Sequence, residues 1–107
     1  MKQEEFAEVL EQQLDRISAV LGVKTNEYAT EDDQLKNIRA AAVLMGISMP
    51  ESVAGTMVKH TVSIYHMIKS GKPFPVEVWD EKITDHIIWL ILLKAALHEG
   101  ADNPLTE

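Results

Sequence analysis

The chain has no cysteine among its 107 residues, so it can build neither a disulfide nor a thiolate metal site, and nothing points to an oxidising compartment. Long hydrophobic runs are also missing. The longest uncharged apolar stretch, residues 87–93, is seven residues long, against the ~20 that a membrane-crossing helix needs. No Gly-rich phosphate loop is present, no serine sits in a nucleophile elbow, and the four histidines show no His-x-x-x-His spacing. These absences exclude P-loop nucleotide chemistry, serine and cysteine nucleophiles and helix-borne zinc hydrolysis of the usual kind. No Pro/Ser-rich linker, internal repeat, low-complexity stretch or β-type alternation appears, which leaves one domain over residues 1–107, frayed at 1–3 and 101–107.

What the chain does have is acid. Its net charge is −7, and residues 1–33 carry nine acidic against three basic side chains (Lys2, Arg16, Lys24), a net of −6. Such a surface repels phosphate backbones and anionic lipid, so direct partnership with duplex nucleic acid or a membrane is not expected. A metal can still bridge an acidic chain to a nucleotide. The opening Met1-Lys2-Gln3-Glu4-Glu5 is acidic and amphipathic, unlike a secretory signal, and the expected location is cytoplasmic.

The apolar pattern is helical almost throughout. Phe6, Val9, Leu10, Leu14, Ile17, Val20 and Leu21 recur at three- and four-residue steps and predict a first helix over residues 4–27. Thr30-Glu31-Asp32-Asp33 has the form of a capping box for a second helix that stops at Gly46. Ser48-Met49-Pro50-Glu51 starts a third, which runs to about residue 69 and stops at Ser70-Gly71. After the turn-rich Gly71-Lys72-Pro73-Phe74-Pro75, a fourth is expected over residues 76–98, ending at Gly100. Four helices with short connections read as an all-α four-helix bundle. The fourth is apolar on nearly every side between Ile87 and Leu97, more than three other helices can cover, which predicts a homo-oligomer with a dimer as the default.

The most informative segment is Trp79-Asp80-Glu81-Lys82-Ile83-Thr84-Asp85-His86, which leads straight into that apolar helix. Glu81 and Asp85, four apart, share a helical face. Carboxylates carried towards a core are unfavourable unless something positive meets them, and a divalent cation such as Mg²⁺ is the usual answer. His86 is read as a packed residue before a ligand, and His66 as a surface one. Lys59, in mid-helix between Val58 and Val62, is suited to a phosphate or to those carboxylates, or is simply a solvated lysine. Around Asn26-Glu27-Tyr28-Ala29 and Leu35-Lys36-Asn37, capping leaves Glu27, Tyr28 and Asn37 unexplained. A glutamate there suits a metal, and tyrosine or asparagine suits a base or sugar.

The order Asn26-Glu27-Tyr28-Ala29, Leu35-Lys36-Asn37, Lys59-His60, then Trp79 to Ile87, resembles a phage-associated branch of the MazG-like all-α nucleotide pyrophosphohydrolases, over roughly residues 20–95. The resemblance implies Mg²⁺ held by Glu27, Glu81 and Asp85, with Glu81 and Asp85 in the catalytic position. It further implies Lys59 on phosphate, Tyr28 or Asn37 on the nucleoside, and assembly as a dimer or tetramer. The reaction would convert a nucleoside triphosphate to a monophosphate and pyrophosphate. The superfamily's later helix carries Glu-x-x-Asp where this chain has Glu-x-x-x-Asp. Its earlier Glu-Glu-x-x-Glu matches Glu4, Glu5 and Glu8 by letter, whereas Glu27 suits the phage branch as the early acid. The alternative expectation is a non-catalytic phage-type helical protein that binds a nucleotide, or a host protein through its acidic face, in the bacterial cytoplasm.

Overall fold

A computed structural model describes residues 1–27 and 35–102, with side chains over 1–21 and 35–100. The described residues form four α-helices and no strand: α1 Gln3–Glu27, α2 Lys36–Met45, α3 Met49–Ser70 and α4 Val76–Asp102. Contacts gather them into two units, Met1–Asp32 and Asp33–Glu107. Among the described residues no single helix is long and apolar enough to cross a membrane.

The first unit is α1. Glu4 and Glu5 occupy its first turn, where the exposed N–H groups of a helix favour negative charge. Its apolar stripe is as the spacing predicts, with Phe6, Val9, Leu10 and Leu14 exposed and Ile17, Val20 and Leu21 half-buried. Gly22 lies inside the helix rather than at its end.

The second unit is built on α3. Its start is the expected capping box: the Ser48 hydroxyl accepts from the Glu51 N–H, and the Glu51 carboxylate accepts from the Ser48 N–H, each at 3.2 Å. Pro50 sits in the first turn, where a helix needs no N–H donor. Val53 is fully buried. The helix ends where Gly71 turns left-handed, at φ 67°.

The helix α2 ends at Gly46, also at φ 67°. The Gly46 N–H reaches the Val43 carbonyl and the Ile47 N–H the Ala42 carbonyl, which together make a Schellman closure. Its start has Leu35 at the cap and no side-chain cap bond; Thr30, the expected cap, lies outside the described residues.

One boundary needs correction. α4 does not stop at Gly100 but continues to Asp102. A glycine inside a helix costs only about 1 kcal/mol, too little to end one supported by packing. The main seam joins α3 and α4, and α2 packs on α3. The two long helices run antiparallel: His60 stacks on Trp89 with ring centroids 6.0 Å apart, and Phe74 meets Trp79 edge-on at 5.9 Å beside the turn. An ion pair between Arg39 on α2 and Glu99 on α4 joins the outer helices.

Candidate functional site

Glu81, Asp85, Ile88 and Leu92 follow one another along α4 at steps of four, three and four, which keeps them on one helical face. That face is the packed one, because Thr84 and Ile88, on either side of Asp85, are 4% and 8% exposed. Glu81 is exposed near the start of the helix, and Asp85 is half-buried one turn further in. Among the described residues, Asp85 has neither a hydrogen bond nor an ion pair. A carboxylate on a packing face without a partner is less well compensated than one paired or in open water.

Two carboxylates one turn apart suit a hard divalent cation. Mg²⁺ in particular is commonly held by one or two carboxylates and the phosphates of its substrate, while keeping several waters. Among the described residues no three His, Asp or Glu side chains gather as a complete protein-only metal site would require. Glu27 is the last residue of α1 and its side chain lies outside the described residues, as does the whole of Tyr28. Asn37 is exposed in the first turn of α2. Glu4, Glu5 and Glu8 are exposed on α1.

His86 is engaged across the seam. Its Nε2 lies 2.7 Å from the Thr61 Oγ1. The Thr61 hydroxyl also reaches back 3.3 Å to the Met57 carbonyl. His86 thereby acts as a cross-helix brace, the packed role the sequence favoured. His60, stacked on Trp89, is its neighbour in that brace, and His66 is exposed. Neither cross-helix contact was legible from spacing within one helix. An antiparallel register that sets α3 residues 60–61 against α4 residues 86–89 is the missing information.

Lys59 is exposed and opens onto a shallow cleft of about 450 Å³ along the flank of α3. Lys59, Ser63, His66, Ser70 and Lys72 line it, with Phe74 at the turn end, and no carboxylate contributes. Ser70 shapes this end: its hydroxyl donates to the Met67 carbonyl at 2.8 Å and accepts the Lys72 N–H at 3.2 Å. In a chain of net charge −7, a cleft lined by two lysines and two hydroxyls, with no carboxylate in its lining, repels an anion less than the acidic face of α1 does. Neither Glu81 nor Asp85 lines it.

No family model, curated protein or solved structure matches the chain. The site is thus argued from its own residues.

Proposed function

We propose that the protein binds nucleoside triphosphates with Mg²⁺ and hydrolyses them to a monophosphate and pyrophosphate, in the manner of the MazG-like enzymes it resembles. The observation that carries the reading is the half-buried carboxylate of Asp85 on the packing face of α4, which has no partner among the described residues. Such a group persists most readily where a cation compensates it.

Glu81 and Asp85 would hold the metal, which when bound supplies a water of lowered pKa and neutralises charge on the departing pyrophosphate. Asp85, fixed by the packing of Thr84 and Ile88, sets the position of that charge more tightly than exposed Glu81 can. Lys59 offers an ammonium to a phosphate oxygen as a mobile point charge. Asn37 remains a proposed nucleoside contact; Tyr28 lies outside the described residues.

The test is pyrophosphate release from a panel of ribo- and deoxyribonucleoside triphosphates, with and without Mg²⁺. Metal-dependent release from at least one of them, lost in Asp85→Asn, supports the reading; no release from any of them rejects catalysis.

A second reading draws on α1, where Glu4, Glu5, Glu8, Glu11 and Asp15 are all exposed beside exposed Phe6, Leu10 and Leu14. An acidic face with apolar residues along it suits a basic protein partner. In that case the chain is a binding module without turnover, and Glu4→Lys or Glu8→Lys weakens the complex.

A further inference from the structure

The cleft along α3 is lined without Glu81 or Asp85, and its ends differ in character from its middle. Lys59, Val62, Ser63, His66, Met67 and Ser70 recur at steps of three and one, so they form one face of α3 over roughly 16 Å. Lys72 and Phe74 continue the lining beyond the Gly71 turn. A lysine therefore stands towards each end. Between the two, Val62 and Met67 are apolar, flanked by the Ser63 hydroxyl and the His66 imidazole.

Charge and shape together identify the occupant. Acidic side chains outnumber Lys and Arg by 17 to 10 in the chain, yet among the described residues neither the Lys59 nor the Lys72 ammonium has an ion pair. Both are exposed, as are Val62, His66 and Ser70, and of the lining only Met67 is buried. A small-molecule site encloses roughly 70% or more of its ligand's surface, which walls this open do not. A polyphosphate carries charge along its whole length, and Val62 and Met67 offer that charge nothing. An extended peptide fits better. Its alternate side chains point the same way at about 3.3 Å per residue, so the first and seventh stand about 20 Å apart. Carboxylates at those two positions reach the two lysines, and apolar side chains at the third and fifth cover Val62 and Met67. Ser63 and His66 are left to hydrogen-bond the peptide backbone. The acids of the remaining chain are screened beyond about 10 Å at 0.1 M salt.

We propose that the α3 cleft binds an extended segment of a partner protein, with a carboxylate towards each end of about seven residues and apolar side chains between them. The proposal goes beyond the nucleotide reading and shares only Lys59 with it.

The probe is the capped, fluorescently labelled peptide Glu-Ser-Leu-Ser-Leu-Ser-Glu, with relatives of roughly six to eight residues, titrated with the full chain in metal-free buffer and read by anisotropy. Saturable binding is expected from at least one of them. Exchanging both glutamates for glutamine, or both leucines for serine, should weaken it by about tenfold. Lys59→Glu and Lys72→Glu should each do the same from the protein side. Lys72→Glu should leave any Mg²⁺-dependent pyrophosphate release unchanged, which keeps the outcome separate from that of the nucleotide reading. No saturable binding by any of these peptides overturns the proposal, and so does equal binding of the glutamine-ended form. Inorganic triphosphate that binds as tightly as the peptide, and is weakened alike by Lys72→Glu, also overturns it, because the cleft would then be a simple polyanion site. Should a lysine variant lose helicity, the peptide exchanges on the natural chain decide alone.

Discussion

The Thr61 hydroxyl and the His86 Nε2 lie 2.7 Å apart and join the two longest helices of the second unit side chain to side chain. The bond is exposed, so its net contribution is about 1 kcal/mol or less. Thr61→Val and His86→Ala should each lower stability by about that amount. A double-mutant cycle in urea should return a coupling of about 0.5–1 kcal/mol. A coupling indistinguishable from zero would mean that the two groups are solvated separately.

The second unit's packing centre is Val53, fully buried where α3 begins to pack against its neighbours. Truncation to alanine removes two carbon atoms' worth of buried surface and leaves a small void. The expected loss is about 2 kcal/mol, against no more than about 0.5 kcal/mol for Val43→Ala at a position 75% exposed on α2. Thermal melts of both variants check the contrast. Near-equal losses would place the packing centre elsewhere.

How much of this was legible beforehand follows from the range of each interaction. The Ser48-Glu51 box and the stops at Gly46 and Gly71 depend on residues within one turn, and spacing alone located them. So did the placing of Glu81 and Asp85 on one face. The run of α4 past Gly100 was missed because a glycine's local penalty is small beside packing energy contributed from elsewhere. The Arg39–Glu99 pair spans 60 residues of sequence, and the His60–Trp89 stack depends on helix register. Neither leaves a local mark. For the site, helical periodicity showed which acids sit together on α4, but it could not show that Lys59 opens onto a separate cleft with Lys72.

Two glycines of α3 and its end should respond oppositely to the same substitution. Gly71 sits at φ 67°, where a side chain is strained whatever space surrounds it, and Gly71→Ala should cost about 1 kcal/mol. Gly55 lies within α3, and an added Cβ there meets nothing within 4 Å. Gly55→Ala should therefore stabilise by about 0.5–1 kcal/mol, through helix propensity alone. Urea midpoints of the two variants should shift in opposite directions. A loss at Gly55 would indicate that another helix approaches that point in the assembled protein.

Substitution at Asp85 distinguishes a functional carboxylate from a structural one. A structural aspartate has partners, and replacing it leaves a buried donor or cation unsatisfied, at about 1–3 kcal/mol. Asp85 is half-buried and among the described residues has no such partner. Removing its charge therefore orphans no partner among the described residues. Asp85→Asn, nearly the same size, should leave stability unchanged or raise it by up to about 1 kcal/mol in metal-free buffer. With Mg²⁺ and a nucleoside triphosphate added, the natural chain should gain thermal stability by mass action, and Asp85→Asn should gain little. Glu81→Gln, on the same face but exposed, should show the same pattern more weakly. A variant that is destabilised without metal, yet still stabilised by Mg²⁺ and nucleotide, would make Asp85 an ordinary packing residue, and the metal reading of α4 would fail with it.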